Sequence, residues 1–148
     1  MKKIIKYIFV FMVISIAIVL SKVVSVALFG NNQSSDSKIS NVDKVLQNAA
    51  KEMATQLPIN MNSSVHLVGV SYDNGLLKLR YKLFDHDVSI VNNSAFKDKT
   101  LPIQVDKFCN DQSTEILRSR PDGRVQHSYY GKDGSLVAKI LVTKDKCK

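Results

Sequence analysis

Val65-His66-Leu67-Val68-Gly69-Val70-Ser71-Tyr72, then Asp73-Asn74-Gly75, then Leu76-Leu77-Lys78-Leu79-Arg80-Tyr81-Lys82-Leu83: this stretch decides the fold. Its first run is rich in β-branched residues, and Asp73-Asn74-Gly75 supplies the residues that tolerate positive φ in a two-residue turn. Beyond the turn, Leu77, Leu79, Tyr81 and Leu83 alternate with Lys78, Arg80 and Lys82. A period of two puts the apolar set on one face and the three cations on the other. The spacing predicts a β-hairpin with one dry and one wet face.

Upstream, Ser40-Asn41-Val42-Asp43 offers an N-cap, and Val42, Val45, Leu46, Ala49, Ala50, Met53 and Leu57 recur at helical spacing. The helix is expected to run to about Gln56, because Pro58 forces Leu57 toward extended geometry. Pro58-Ile59-Asn60 then leads into the first strand. Downstream, Asp85 to Asn93 reads as a polar connection, and Ser94 can cap a helix carrying Phe96, Leu101, Ile103, Val105 and Phe108. Pro102 predicts a kink or a restart in it. A short helical turn is expected around Ile116 and Leu117. Arg124 to Tyr130 and Ser135 to Thr143, joined by Gly131-Lys132-Asp133-Gly134, read as a second hairpin, with Leu136, Ala138, Ile140 and Val142 on one side of its last strand. The expected domain is α+β, a four-stranded antiparallel sheet of two β-hairpins with helices packed on one face.

The N-terminus points to the compartment. Of 148 residues, 45% are hydrophobic and 23% charged, but residues 1–30 hold Lys2, Lys3, Lys6 and Lys22, no acid, and an almost unbroken apolar run. Two readings stand. Ile4 to Phe29 as one helix would measure about 39 Å, enough to span a bilayer as a retained anchor. Cleavage after Ala27, with Ser25 and Ala27 as the small residues before the cut, would instead free a soluble periplasmic or secreted domain. The positive-inside rule keeps the lysines cytoplasmic in either case, and the anchored reading makes the inner membrane a partner through residues 4–29. Residues 31–40 are polar and read as a linker, leaving 41–148 as a periplasmic domain. The formal charge of +8 falls to about +4 once the N-terminal lysines are set aside, which removes the main support for nucleic-acid binding.

Cys109 and Cys147 are the only cysteines. In an oxidising periplasm they are expected to form one structural disulfide; no Cys-x-x-Cys spacing argues for redox or metal chemistry. Asp85-His86-Asp87 lies on an extended segment whose side chains diverge, so no metal site is assigned. His66 and His127 fall in strands, and no serine sits in a strained nucleophile turn. No catalytic residue and no cofactor is therefore expected. The stripe Lys78, Arg80 and Lys82 could take an acidic partner or anionic headgroups, and Met53 and Phe108 could line an apolar groove between helix and sheet.

Gln56-Leu57-Pro58-Ile59, Phe108-Cys109-Asn110-Asp111, Tyr129-Tyr130-Gly131-Lys132-Asp133-Gly134 and Thr143-Lys144-Asp145-Lys146-Cys147 together resemble a group of small bacterial envelope proteins. More distantly, the order of elements and the two cysteines are similar to the α/β class of type II secretion pilotins, small lipoproteins that carry a secretin subunit to the outer membrane by binding its C-terminal segment. The resemblance spans about residues 42–147, with the Leu-Pro and Cys positions most specific. It implies the fold, the Cys109–Cys147 bridge and a binding rather than catalytic role. Unlike pilotins, this chain has no lipobox cysteine. The expectation is a membrane-anchored periplasmic module that binds an envelope protein, as an accessory of secretion or surface assembly. The alternative is a soluble periplasmic protein with an immunity or exclusion role, or with weak enzymatic or ligand-binding activity at His66 or His127.

Overall fold

A computed structural model describes residues 35–84 and 93–147. Helix α1 spans Ser35–Thr55, strand β1 Ile59–Asn62, β2 Val65–Asp73, β3 Leu76–Leu83, helix α2 Asn93–Asn110, α3 Glu115–Arg118, β4 Arg124–Tyr130 and β5 Leu136–Thr143. Single 3-10 turns at Gln112–Thr114 and Lys144–Lys146 complete the order. The expected N-terminal membrane or signal helix and the Asp85-His86-Asp87 segment lie outside the described residues, within which no helix is long and apolar enough to cross a membrane.

The strands form one five-stranded sheet in the order β1-β2-β3-β4-β5. The α+β class holds, but the expected four-stranded antiparallel sheet is corrected in two respects. First, Ile59–Asn62 is itself a strand, antiparallel to β2. The reversal is possible because the Asn62 side chain accepts a hydrogen bond from the Ser64 N–H at 2.8 Å, an Asx turn inside an apparently continuous strand. Second, β3 and β4 pair in parallel, from Leu76 opposite Arg124 to Lys82 opposite Tyr130. Parallel neighbours need a long crossover, and the segment carrying α2 and α3 supplies it. It returns the chain to the start of β3, where the Arg124 N–H bonds the Gly75 carbonyl at 2.9 Å.

The two turns behave as their residues dictate. Asn74 and Gly75 take φ of 44° and 73° and close β2 onto β3. Between β4 and β5, the Gly131 N–H bonds the Ser135 carbonyl at 2.9 Å, with Gly134 at φ 83°.

Three boundaries differ from expectation. Helix α1 starts at Ser35, so the backbone of 35–40 is helical rather than linker; a helix already nucleated by its buried face extends at little further cost. Helix α2 continues through Pro102 as a single element, so the expected restart does not occur there. Leu136 is 48% exposed and Val137 is buried, the reverse of the expected alternation, because the β4–β5 register shifts between Tyr129 and Tyr130.

One face of the sheet carries the core. Leu46 and Ala50 of α1 and Phe108 of α2 bury against Leu67, Tyr81, Leu83, Val125 and Tyr129, and Leu117 of α3 seals one end. The core contains polar groups, each with a partner. The Tyr129 hydroxyl accepts from Gln104 Nε2 at 2.9 Å, while its ring stacks on Tyr81 and meets Phe96 edge-on. His127, 6% exposed, stacks on Tyr81, whose hydroxyl lies 3.3 Å from its Nδ1. Burial, helped by the nearby Lys107 ammonium, lowers the His127 pKa to about 4. Burial likewise raises the Tyr81 and Tyr129 phenols above the ordinary range.

The expected disulfide is present: Cys109, at the end of α2, bonds Cys147, just past β5, with the Cα atoms 5.4 Å apart. It closes the crossover helix onto the last strand across a sequence separation of 38 residues. The chain-entropy model assigns such a loop roughly 4 kcal/mol. Replacing both cysteines by serine should lower unfolding free energy in urea by up to about 4 kcal/mol, with unchanged far-ultraviolet circular dichroism; a loss under about 1 kcal/mol would show that α2 is held by packing alone.

His127 gives a pH signature. Its folded pKa of about 4 lies below the unfolded value near 6.5, so the unfolded chain takes the proton first. The contribution is therefore intact above about pH 7 and is lost as pH falls toward 4, by about 3 kcal/mol in total. Between those pH values the wild type should lose that much more stability than His127→Phe in paired urea titrations. Parallel losses in the two proteins would contradict a neutral buried imidazole.

Candidate functional site

With the helices on one side, the other side of the sheet is the natural place to look for a working surface. Register defines it row by row. Asn60 pairs with His66, His66 with Lys82, Lys82 with Tyr130 and Tyr130 with Leu136. The next row is Gly69, Arg80, Ser128 and Lys139, and the one after it Ser71, Lys78, Gln126 and Leu141. The last row, at the β2–β3 turn, is Asp73, Leu76, Arg124 and Thr143. Lys78, Arg80 and Lys82 thus stand on the helix-free face, as their alternation predicts.

The structure adds to the stripe what sequence reasoning missed. Parallel pairing of β3 with β4, and antiparallel pairing of β4 with β5, brings Arg124 and Lys139 onto the same face. Alternation within Arg124 to Tyr130 marks Arg124 as outward; only the strand order shows that it joins Lys78 and Arg80. Packing between the cations is tight. A Cβ on Gly69 would run into the Arg80 guanidinium, so that side chain lies across the glycine of the neighbouring strand. Ser128 beside it is 3% exposed.

At one end of the stripe the His66 and Phe84 rings lie 4.3 Å apart, and Lys82 Nζ sits 5.4 Å from the Phe84 centroid, a cation–π contact. Phe84 is 37% exposed, and Leu136 and Leu141 of β5 are 48% and 45% exposed. The face is therefore cationic at its centre and apolar at two margins.

The remaining expected site residues are elsewhere. Phe108 is 1% exposed and belongs to the core. Its helix is pinned against α3, with the Phe108 carbonyl accepting from Arg118 and from the Thr114 hydroxyl. Met53 is half-buried against the same core. Helix and sheet are packed together there. His66 lies on the open face and His127 inside, so the two histidines do not converge. Among the described residues no three His, Cys, Asp or Glu side chains gather where they could hold a metal ion.

A second polar cluster, unforeseen from sequence, lies at the turn end of the core side. Arg120, 7% exposed, donates to Asp43 of α1 and forms a two-pronged bridge with Asp122, Nε to Oδ1 at 2.9 Å and NH2 to Oδ2 at 3.1 Å. The Tyr72 hydroxyl donates to the same Asp43 oxygen and accepts from the Gly75 N–H at 3.2 Å. Hydrogen bonding to Arg120 holds the Asp122 carboxyl below the usual range, while Asp122, ahead of Asp43, raises the guanidinium further. Burial, then the bond to Asp43, raises the Tyr72 phenol. Every group has a partner, which marks the cluster as a structural lock.

No protein-family model and no curated protein matches the chain. Solved structures do match. A Pseudomonas aeruginosa protein described as secreted superposes with a TM-score of 0.62 at 17% identity, over 79% of this chain and 100% of the other. The Vibrio vulnificus type 2 secretion pilotin EpsS gives 0.59 at 15% identity, covering 74% and 94% of the two chains. The type II secretion pilotin AspS of Vibrio cholerae gives 0.55 at 19%, covering 73% and 94%. The described domain therefore shares the fold of the type II secretion pilotins, as its element order and cysteines had suggested.

Proposed function

We propose that this chain is a non-enzymatic, membrane-anchored envelope protein whose domain faces the periplasm and binds another envelope protein, as an accessory of a secretion or surface-assembly system. The observation that carries the reading is the likeness in fold to two pilotins over nearly three quarters of the chain. Three features support it. The lysine-led apolar run from Ile4 to Phe29 has the pattern of an export signal that stays as an anchor. The Cys109–Cys147 bridge suits an oxidising compartment. The structured region offers surfaces for binding, a cationic sheet face and an edge strand β5 of eight residues, rather than a converging set of reactive groups.

The anchor distinguishes this chain from a pilotin of the lipoprotein kind. Both cysteines are engaged in the bridge, and neither stands after the apolar run where a lipid would be attached. Held in the inner membrane, the domain would meet its partner before or during assembly rather than travel with it.

Two measurements test the proposal. Fractionation with intact-mass analysis should recover a full-length, disulfide-closed chain from the inner membrane; a soluble product beginning at Leu28 would overturn the anchor. Labelled peptides from the C-termini of the secretins encoded in the same genome should bind the full-length chain in micelles saturably, with a Kd of about 1 µM or below, near −8 kcal/mol. Failure of every such peptide, with normal secretin multimers in a deletion strain, would overturn the secretion-accessory role.

A further inference from the structure

We infer that the helix-free sheet face is a docking surface for anionic phospholipid headgroups, on which the domain lies down against the bilayer that holds its own N-terminal segment. The inference rests on the anchor in the reading above and is independent of the protein partner proposed there.

Charge is the first argument. Lys78, Arg80, Lys82, Arg124 and Lys139 share this face with one carboxylate, Asp73, at its turn end. The rest of residues 35–84 and 93–147 carries eleven Lys or Arg against ten Asp or Glu. Nearly all the net charge of the described domain is thus gathered on one side of it. Such an uneven distribution orients a protein toward an anionic surface.

Shape is the second. The cations occupy three neighbouring strands, and Lys78 to Lys82 span about 14 Å along β3, with β5 about 10 Å away across the sheet. The array is broad and carried on a sheet surface, where a groove for a bound peptide would need walls. A bilayer offers repeated anionic groups over just such an area.

The third is the mixture of residue types. Phe84, Leu136 and Leu141 are exposed on or beside this face, and Tyr130 is half-buried on it. The His66 ring backs the Phe84 ring. Cations around an aromatic ring and isolated leucines are the composition of surfaces that sit at the headgroup level of a membrane.

Reach is the last. Residues 30–34 separate the apolar run from the start of α1, and fully extended they cover about 17 Å. A domain tethered that closely meets the bilayer at a high effective concentration, so weak contacts suffice to hold it.

The test uses the full-length protein reconstituted into vesicles of phosphatidylethanolamine with phosphatidylglycerol, or of phosphatidylcholine alone. Amine acylation rates are read by mass spectrometry at Lys78, Lys82 and Lys139, with the exposed Lys44, Lys51 and Lys132 as internal references. The sheet lysines should react more slowly on the anionic vesicles by about fivefold, the factor that one favourable charge contact supplies, while the references stay unchanged and high salt removes the difference. In Arg80→Gln/Arg124→Gln the protection of Lys82 and Lys139 should shrink; each variant is first checked for its closed disulfide and native circular dichroism, and Arg80→Gln alone serves if the pair does not fold. Equal rates on the two lipid compositions overturn the inference, as does protection that persists in high salt. Protection by poly-glutamate on phosphatidylcholine vesicles, without protection by anionic lipid, would assign the face to an acidic protein and overturn it too. Failure of the secretin peptides to bind would leave the lipid footprint unaltered, so the two readings fail separately.

Discussion

The guanidinium of Arg120 is the point on which the arrangement of this domain depends. It sits just before β4, at the end of a crossover that must bring the chain back to the start of β3 for a parallel pair to form. By bonding Asp43 it ties that return to α1, and by bonding Asp122 it fixes the loop that delivers β4. Tyr72 on β2 shares Asp43, so helix, hairpin and crossover meet at one carboxylate. A buried cation is unfavourable unless its hydrogen bonds are met, and here the two carboxylates and the phenol keep the cluster satisfied. Space around it is limited accordingly. A Cβ on Gly75 would come within 2.7 Å of the Asp122 carboxylate, and one on Gly123 would collide with the Leu117 carbonyl. Gly75 is thus required twice over, for its positive φ and for this clearance.

Local patterns were readable and long-range ones were not. The β2–β3 hairpin, the β4–β5 hairpin, the amphipathic face of α1 and the short helix near Leu117 each follow from residues a few positions apart, where periodicity and turn chemistry act directly. The Cys109–Cys147 pairing was legible because a chain with two cysteines offers each a single partner. What escaped was set by contacts distant in sequence. Nothing in Arg124 to Tyr130 says that its first neighbour is β3 in parallel; that follows from the crossover's return and from Arg120. The strand at Ile59–Asn62 was hidden because Asn62 and Ser64 make a reversal without glycine. Leu136 was assigned to the wrong side because a register shift of the kind seen at Tyr129 and Tyr130 inverts alternation from that point on. The candidate site was half legible: Lys78, Arg80 and Lys82 by alternation, Arg124 and Lys139 only through the strand order.

The two sides of the sheet divide the chemistry between them. On the helix side, polarity is admitted only with a fixed partner: Tyr129 with Gln104, Tyr72 with Asp43 and Gly75, His127 beside Tyr81. Such groups are committed to the fold, and burial disfavours the charged form of the histidine among them. On the open side the long cations carry their charge at the surface, constrained by Gly69 beneath Arg80 and by Phe84 beside Lys82.

That division limits where a partner can act. Docking between helix and sheet would require prising α1 or α2 from the core, against the burial of Phe108 and Leu46 and, for α2, against a disulfide at its end. The open face asks for no such rearrangement, since its cations already stand outward and strands β3 and β4 beneath most of them are interior strands of the sheet. Edge strand β5 belongs to the same surface through Lys139 and Leu141, while the lysine on it discourages indiscriminate strand pairing. A protein segment added along β5 and a membrane laid against the face would therefore meet at one border, the strand that carries Lys139 and Leu141.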